Sequence, residues 1–298
     1  MRWLNGVGAV VGLGIATVAA AALEARAFQV TRHELALPAR RPVTPGRLRI
    51  LHISDTHFRP GERAKAAFLH SLAAQAPDLV VCTGDLLASA EGHDEFMAAL
   101  GDLTALPGVF VFGSNDYYAP LAGNPLAYLW RRQPSRHGPP LPWQRLRDAL
   151  LEIGWHDLTN TGLRLDVQGW DIEFRGADDA HLGLDRYPEA LQKDPKCPES
   201  DTIIGVTHAP YAKLLDQMTA DGVDLILAGH THGGQICLPW GAVVANCDLP
   251  TDYVKGLHRY PPGSGSWLHV SAGVGSSPTF PLRTFCRPEA CVVDVSRG

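Results

Sequence analysis

The stretch "RLRILHISDTH", residues 47–57, is an apolar run that ends abruptly in an Asp and a His. Two later stretches have the same design, "DLVVCTGD" at 78–85 and "GVFVFGSND" at 108–116. Compact apolar runs that are bounded by turn residues are typical of buried strands. Residues 62–76 and 93–105 lie between these strands and have the spacing and the residue types of helices. The alternation of strand and helix predicts an α/β fold with a mainly parallel sheet.

The second half of the chain contains four more strand-like runs. Two of them end in polar turns, "TIIGVTHAP" at 202–210 and "VDLILAGHTHGGQ" at 223–235. The runs "SWLHVSAGVG" at 266–275 and "ACVVDVS" at 290–296 have the character of closing strands. Since no internal repeat and no second shift in composition is visible, residues 47–298 are predicted to form one domain of catalytic size.

Five strand ends share one feature, because each terminates in residue types that bind metals. The ends of strands in open α/β sheets are where loops converge on a crevice. Residues i and i+2 of an extended segment point to the same side, so Asp55 and His57 can reach one ion. His230 and His232 can do the same, or can be divided between two adjacent ions. The five groups are Asp55-Thr56-His57, Gly84-Asp85, Ser114-Asn115-Asp116, Thr207-His208 and Gly229-His230-Thr231-His232.

The donor set combines imidazole nitrogens with carboxylate and amide oxygens, and it contains no thiolate. This mixture suits Mn, Fe or Zn better than Ca or a thiolate site. The number of donors exceeds what one tetrahedral ion needs and fits two divalent ions that share a carboxylate. Two such ions, about 3.5–4 Å apart, activate a bridging water as hydroxide and stabilise the charge that develops on a phosphate ester. The donors therefore predict a dimetal phosphoesterase with no other cofactor.

The order D-T-H, G-D, N-D, H and G-H-T-H, from about residue 50 to the C-terminus, resembles the calcineurin-like metallophosphoesterases. Their pattern is D-x-H, G-D, G-N-H-[D/E], H and G-H-x-H. The form "GHTHGGQ", together with an apolar N-terminus, is most similar to the bacterial membrane-anchored branch. Relatives of that branch include enzymes that cleave the pyrophosphate of UDP-diacylglucosamine. The resemblance implies a two-sheet αβ sandwich flanked by helices, with the site at the top of the sheets.

The resemblance also implies a role for each motif residue. One ion would be held by Asp55, His57, Asp85 and His232. The other ion would be held by Asp85, Asn115, His208 and His230. The shared Asp85 would bridge the two ions. The implied function is hydrolysis of a phosphodiester or pyrophosphate bond, and the alternative is a non-catalytic metal-binding protein anchored in a membrane.

The segment "GSND", residues 113–116, departs from the family pattern. An ungapped alignment from Gly108 places Asn115 at the metal-binding Asn and Asp116 at the catalytic His. A rival alignment pairs Ser114 with the Asn and would leave the second ion without its amide ligand. On the first alignment Asp116 is the candidate catalytic residue. Because an Asp is usually ionised at neutral pH, we expect weak activity on poor leaving groups and better activity on pyrophosphates or aryl esters.

Other polar residues carry weaker signals. Residues 178–181, "DDAH", follow a strand-like run and can line the rim of the site. Arg283 can contact a phosphate oxygen, although a structural salt bridge is the commoner use of such a residue. The six cysteines form no C-x-x-C pair, which argues against a structural zinc site. In an oxidising compartment the pairs Cys237/Cys247 and Cys286/Cys291 can form disulfides.

The N-terminus carries twenty residues without a charge, from Leu4 to Leu23. That length suits a helix that crosses the roughly 30 Å core of a bilayer. A secretory signal cleaved after "ARA", residues 25–27, is the alternative, but the apolar stretch exceeds the roughly 7–15 residues of a usual signal. We therefore predict a transmembrane anchor over 1–27 and a Pro- and Arg-rich linker over 28–46.

The predicted anchor places the protein in the cell membrane with a single N-terminal span, in an orientation that the sequence leaves open. It would bring the site close to a bilayer, so lipid-linked or cell-envelope phosphodiesters and pyrophosphates are the expected substrates, and soluble or cyclic nucleotides are the alternative. The formal net charge is −5 and the chain contains no basic block. This charge pattern argues against nucleic acid as a partner.

Overall fold

Two six-stranded β-sheets form the centre of the computed structural model. The structure describes residues 14, 16–38, 40, 46–121, 137–188, 200–263 and 265–297. In spatial order the first sheet contains β1 (Gln29–Leu37), β14 (Glu289–Arg297), β2 (Arg47–Ile53), β3 (Leu79–Thr83), β4 (Gly108–Val111) and β5 (His156–Asp157). Strands β2 to β5 are parallel, whereas β14 runs antiparallel to β2.

The second sheet has a parallel centre and antiparallel edges. In spatial order it contains β12 (Gly256–Arg259), β13 (Trp267–Val270), β9 (Leu225–Ala228), β8 (Thr202–Val206), β7 (Trp170–Gly176) and β6 (Gly162–Val167). A separate two-stranded hairpin is formed by β10 (Cys237–Leu238) and β11 (Gly241–Ala242). The mixed α/β architecture with two sheets confirms that part of the predicted fold.

The core lies on both sides of the strands, which explains the consecutive apolar residues Ile50 and Leu51 in β2. Ile50 belongs to a buried cluster that also contains Leu225 of β9, so it packs between the sheets. Leu51 points to the opposite side and belongs to a second cluster with Leu69 and Phe96 from flanking helices. A strand that is buried on both faces needs apolar residues at consecutive positions.

Helices cover the outer faces of the sheets. Besides the helix over residues 16–24, the described α-helices are Arg63–Ser71, His93–Leu100, Ser114–Tyr117, Trp143–Glu152 and Ala212–Ala220. The 3₁₀ helices are Leu72–Gln75, Ala90–Gly92, Gly101–Ala105, His232–Gly234 and Thr251–Tyr253. The helices predicted at 62–76 and 93–105 are confirmed, although each continues as a 3₁₀ helix over its last turn.

The linker predicted over 28–46 is wrong for residues 29–37. These residues form β1, which pairs in parallel with β14 along its whole length. Leu35 and Leu37 are buried, and the alternating residues Glu34 and Ala36 are exposed, so the segment has the two-residue period of a strand. The neighbouring Pro- and Arg-rich residues obscured this short alternation in the sequence.

The described residues include only part of the predicted transmembrane span. Its residues 4–13 and 15 lie outside the described residues, and a helix continues through 16–24. Within the described part of the chain, no helix combines the length and the apolar character that a membrane crossing requires. The anchor and the location that it implies therefore stay predictions.

The position of β1 predicts a stability effect for Leu37→Ala. The Leu37 side chain is buried between the sheets. Deleting a buried leucine side chain costs about 2–5 kcal/mol of unfolding free energy, whereas Leu151→Ala on the surface of helix Trp143–Glu152 should cost much less. Urea unfolding of both variants measures this difference, and equal stabilities would contradict the assignment of β1 to the fold.

A buried histidine pair between the sheets predicts a pH dependence of stability. His52 Nδ1 lies 2.9 Å from His269 Nδ1, and His52 Nε2 lies 2.8 Å from Thr83 Oγ1. Burial lowers the pKa of His52 from 6.5 to about 3. The unfolded chain therefore binds one more proton at His52 between these values, and the free energy of unfolding falls as the pH falls through this window.

The His52→Asn variant should reduce that slope by about 1.4 kcal/mol per pH unit. Urea unfolding at about pH 5 and about pH 6 measures the slope within the window. His70→Asn is the matched control because His70 is exposed. A slope that is the same in wild type and in His52→Asn would show that His52 titrates normally in the folded protein.

Candidate metal centre

The turns that follow five strands, three in the first sheet and two in the second, meet at one place. They deliver Asp55 and His57 after β2, Asp85 after β3, Asn115 after β4, His208 after β8, and His230 and His232 after β9. All of these side chains are buried except that of Asn115, which is half-buried. The structure thus brings together the seven residues that the sequence predicted as metal ligands.

A first cluster contains Asp55, His57 and His232. The Nε2 atoms of the two imidazoles are 3.1 Å apart. Asp55 Oδ1 lies 4.0 Å from His57 Nε2 and 3.7 Å from His232 Nε2. Three donor atoms that lie within 4.8 Å of one another can hold one ion.

A second cluster lies beside the first and contains Asp85, His208 and again Asp55. His208 Nε2 is 3.5 Å from Asp85 Oδ2 and 3.3 Å from His230 Nδ1. The side-chain amide of Asn115 reaches Asp85 Oδ2 at 2.7 Å. A rotation of the amide exchanges its nitrogen and oxygen, so Asn115 can present an oxygen ligand at this position.

Asp85 lies between the two clusters. Its Oδ2 is 3.6 Å from His57 Nε2 in the first cluster and 3.5 Å from His208 Nε2 in the second. Its Oδ1 accepts a hydrogen bond from the backbone N–H of Asn115 at 2.7 Å. One carboxylate therefore faces donors of both clusters, which is the position that a bridging ligand needs.

Hydrogen bonds to backbone carbonyls fix the tautomers of two histidines. His208 Nδ1 lies 2.7 Å from the carbonyl oxygen of Thr83 and donates to it. His230 Nε2 lies 3.0 Å from the carbonyl oxygen of Asn246, to which it can donate, and 3.1 Å from Asn246 Nδ2. When each ring is neutral, as metal binding requires, its unprotonated nitrogen, His208 Nε2 or His230 Nδ1, faces the second cluster. This is the arrangement by which proteins orient metal-binding imidazoles.

The Asp55 carboxylate is only half satisfied by the protein. Its Oδ2 accepts hydrogen bonds from Ser54 Oγ at 2.5 Å and from the backbone N–H of His230 at 3.0 Å. Its Oδ1 is buried and has no hydrogen-bond partner among the described residues. Because a buried carboxylate oxygen without a partner is costly, this atom fits a site for a cation.

The electrostatics of the centre also fit cations. Burial lowers the pKa of three imidazoles well below the usual value, those of His57, His230 and His232. At His208 burial acts in the same direction, but the carboxylates of Asp85, Asp179 and Asp55 outweigh it and raise the pKa to about 9. Burial raises the pKa of Asp55 to about 6. Three neutral imidazoles beside carboxylates are donors that divalent ions select, and binding of an ion by His208 would release its proton.

Backbone strain is concentrated at the same residues. Five candidate ligands have a positive φ, namely Asp55 (50°), His57 (42°), Asp85 (52°), His230 (68°) and His232 (50°). A side-chain-bearing residue in this region costs about 1–3 kcal/mol and persists only where the surrounding fold imposes it. Strain at five ligand positions supports a functional role for this place in the fold.

Glycines allow the turns to approach the ligands closely. A Cβ atom at Gly113 would overlap Asp85 Oδ1 and would lie 2.7 Å from His208 Nε2. A Cβ atom at Gly229 would overlap Ser54 Oγ and would lie 2.5 Å from Asp55 Oδ2. Both positions therefore require the absence of a side chain, independently of backbone conformation.

The side chain of Asp116, the predicted catalytic residue, is directed at the backbone of two turns. Its Oδ1 accepts hydrogen bonds from the N–H groups of Leu86 at 2.8 Å and Leu87 at 3.1 Å, and its Oδ2 accepts from Gly113 at 2.9 Å. Burial, with a contribution from Asp85, raises its pKa to about 7. This geometry favours a role in positioning the Asp85 turn, and the catalytic role stays a prediction.

Arg283 pairs with no carboxylate in the described contacts, and its Nη2 lies 3.3 Å from Nδ1 of His232 in the first cluster. Its guanidinium is buried and donates to the carbonyl oxygens of Ala272 at 2.6 Å, Cys286 at 3.2 Å and His232 at 3.3 Å. It also donates to the carbonyl oxygen of Gly275. Arg283 therefore ties the His232 turn to the C-terminal loops, a use that the sequence did not indicate.

The rim predicted at residues 178–181 lies next to the second cluster. The imidazole of His181 has its centroid 4.7 Å from that of His230, and its Nδ1 lies 2.9 Å from the hydroxyl of Tyr211. Asp179 is buried, and its Oδ2 has no hydrogen-bond partner within the described structure. Tyr211 and Asn246 were missed by sequence reasoning because neither belongs to a motif.

The described cysteines Cys82, Cys237, Cys247, Cys286 and Cys291 are all free thiols. The sixth, Cys197, lies outside the described residues. Cys237 and Cys286 share one buried cluster beside the His232 turn, where Cys237 Sγ donates to the carbonyl oxygen of Gly233 at 3.2 Å and Cys286 Sγ donates to that of His232 at 3.3 Å. The structure thus places Cys237 next to Cys286 rather than pairing it with Cys247.

The glycine contact predicts that Gly113→Ala impairs metal binding. The added methyl group would overlap Asp85 Oδ1 and crowd His208, so the shared carboxylate must move. We expect at least a tenfold loss of Mn affinity, on the order of the effect of disturbing ligand orientation. Gly265→Ala is the matched control, because a Cβ atom there meets nothing within 4 Å. Isothermal titration with Mn measures both variants, and equal affinities would contradict this geometry.

Comparisons with known proteins identify the family of this chain. The model of the family described as calcineurin-like phosphoesterase matches residues 48–234. The chain is 30% identical over 285 residues to the uncharacterized protein YpbG of Bacillus subtilis, covering 93% of this chain and 97% of that protein. It is 26% identical over 278 residues to the phosphodiesterase YaeI of Escherichia coli, covering 90% and 88%.

Among solved structures, TT1561 of Thermus thermophilus is similar with a TM-score of 0.46 and 15% identity, over 76% of this chain and 90% of that chain. The family match begins in β2 and includes every turn that carries a candidate ligand. The chain therefore belongs to the calcineurin-like phosphoesterases and is a metal-dependent phosphoric ester hydrolase of that family.

Proposed function

We propose that the protein hydrolyses a phosphodiester or pyrophosphate bond at a centre of two divalent ions, on a lipid-linked or cell-envelope substrate. The observation that carries the proposal is the pair of donor clusters that share Asp85 and Asp55. Family membership supports the reaction class, and the name of the relative YaeI supports a diester as the bond type.

The proposed ligands follow the two clusters. The first ion would be held by Asp55, His57, Asp85 and His232. The second would be held by Asp85, Asn115, His208 and His230. The mixed nitrogen and oxygen donors suit Mn, Fe or Zn. When bound, two such ions supply an activated water and stabilise the negative charge of the reacting phosphate.

The protein contributes orientation and exclusion of water. The carbonyl groups of Thr83 and Asn246 hold the rings of His208 and His230 with their free nitrogens inward. Ser54 holds the Asp55 carboxylate so that Oδ1 faces the centre. Because these groups are buried, the centre is preorganised, and little reorganisation is needed when charge develops on the substrate.

A location at the cell membrane is part of the proposal. Twenty uncharged residues, Leu4 to Leu23, precede the domain, and a helix continues through residues 16–24. A domain attached in this way would meet phosphate esters of lipids more often than those of soluble metabolites. The apolar N-terminus thus supports a lipid-linked substrate.

Hydrolysis by the full chain with added Mn tests the proposed function. We expect turnover of an activated aryl phosphodiester and of a nucleotide-diphosphate lipid, and loss of turnover to background in Asp85→Ala and His230→Ala, because each removes a proposed ligand. Asp102→Ala and His70→Ala are matched controls at exposed positions. Turnover that survives in Asp85→Ala after its metal is lost would contradict the proposal, and a metal-loaded wild type without activity would favour the non-catalytic alternative.

The Asp116→Asn variant separates a positioning role from a catalytic one. An Asn cannot accept all three backbone hydrogen bonds, because one of its side-chain atoms is a donor. We expect Mn affinity to fall about 10–100-fold and activity to fall equally on aryl diesters with good and poor leaving groups. A selective loss on the poor leaving group would instead identify Asp116 as a proton donor. Asp102→Asn is the control.

A further inference from the structure

An uncharged surface with exposed apolar side chains lies beside the metal centre. We call it the apolar platform and define it by Leu238, Trp240, Val243 and Phe285. Trp240 is 81% exposed and Phe285 is 61% exposed. Adjacent exposed side chains of this size and apolar character often mark a binding surface. Val18 and Leu23 of the N-terminal helix are also exposed.

Backbone hydrogen bonds join the segments that carry these side chains. The hairpin residue Cys237 donates to the carbonyl oxygen of Thr284 at 2.9 Å, one residue before Phe285. The backbone N–H of Arg283 donates to the carbonyl oxygen of Ala21 at 3.1 Å, and that of Cys286 donates to Glu24 Oε1 at 2.7 Å. The hairpin, the C-terminal loop and the end of the N-terminal helix are therefore adjacent.

The charges around the platform match a lipid surface. Residues 236–246, "ICLPWGAVVAN", contain no charge, and the one charge in residues 276–286 is the buried Arg283. Arg26 and Arg287 are exposed at the edge, where Arg287 donates to the carbonyl oxygen of Ala27 at 2.8 Å. Tryptophan favours the interface between water and acyl chains, and Arg favours anionic head groups.

The segment that carries most of the platform is fixed to the metal centre at both ends. At one end, residue 236 follows directly on the His232 turn, whose Gly234 lies against Ala242 so closely that a Cβ atom would be 2.7 Å from the Ala242 Cβ. At the other end, the carbonyl oxygen of Asn246 accepts the hydrogen bond that orients His230. The orientation of the platform relative to any surface it contacts therefore fixes the orientation of the metal centre relative to that surface.

We propose that the apolar platform rests in the interfacial layer of a lipid bilayer and holds the metal centre at the level of the head groups. A bilayer is the partner that this surface suits, because the uncharged residues 4–23 end next to the platform, where Ala21 accepts a hydrogen bond from Arg283. Given the proposed hydrolase function, the substrate is then a phosphate ester in a lipid head group, cleaved without leaving the membrane.

Quenching of tryptophan fluorescence tests the platform without relying on catalysis. The full chain is reconstituted in phosphatidylcholine and phosphatidylglycerol vesicles with and without brominated acyl chains. All proteins carry Trp3→Phe, because Trp3 adjoins the predicted span. In this background we expect a quenched component of the emission that Trp240→Ser lacks and that Trp170→Phe, which changes a buried ring, retains. Equal quenching with and without Trp240→Ser would overturn the proposal.

Hydrolysis of two substrates then links the platform to the reaction. Phe285→Ser should lower turnover of a phosphodiester lipid in vesicles by about tenfold and leave turnover of a soluble aryl diester unchanged. Leu151→Ser, at an exposed apolar position elsewhere, should change neither. A wild type inactive on both substrates would contradict the hydrolase function alone, since the quenching result still decides the platform.

A second copy of the chain is the competing occupant. If the wild type in detergent sediments as a dimer that Trp240→Ser converts to a monomer, and bromolipid quenches neither protein, the platform is a self-association surface and the proposal is wrong. A sedimentation coefficient that Trp240→Ser leaves unchanged, together with the quenched component, supports the bilayer.

Discussion

The carboxylate of Asp85 is shared by two groups of donors, and the rest of the centre depends on this sharing. Its Oδ2 lies 3.6 Å from His57 Nε2 and 3.5 Å from His208 Nε2. The first histidine comes from the sheet that carries Asp85 and the second comes from the other sheet. The relative position of the two sheets therefore fixes the spacing of the clusters.

Several unfavourable or specific local features of the chain hold Asp85 in this position. Its own φ is positive, and Gly113 must lack a side chain to leave room for it. Asp116 binds the N–H groups of Leu86 and Leu87, so it ties the residues directly after Asp85 to the turn after β4. A buried carboxylate that fixes neighbouring turns is as important for the geometry as a ligand itself.

Sequence reasoning worked where the signal was local. The apolar runs with abrupt polar ends identified β2, β3, β4, β8 and β9, and the residues at those ends are the ones that meet in the structure. The i and i+2 spacing of the histidine and aspartate ligands can be recognised from adjacent positions in the sequence alone. The strand β1 was missed because its alternation is short and is followed by a Pro- and Arg-rich segment, and its partner β14 lies at the other end of the chain.

The contacts that sequence reasoning missed are long-range and often involve the backbone. Any residue could supply the carbonyl group that Asn246 offers to His230, so the side chain gave no signal. Arg283 resembled a phosphate ligand by its type alone, yet its burial among carbonyl groups gives it a structural use. Asp116 aligned with a catalytic histidine, but its side chain turns toward three N–H groups.

Electron paramagnetic resonance of the Mn-loaded protein tests the shared carboxylate most directly. Two Mn ions joined by Asp85 would lie about 3.5–4 Å apart, and their spins would be coupled. We expect two bound Mn per chain with a coupled spectrum in the wild type, and in Asp85→Ala an uncoupled spectrum from any Mn that stays bound. A wild-type spectrum of isolated Mn, or one bound Mn per chain at saturation, would contradict it.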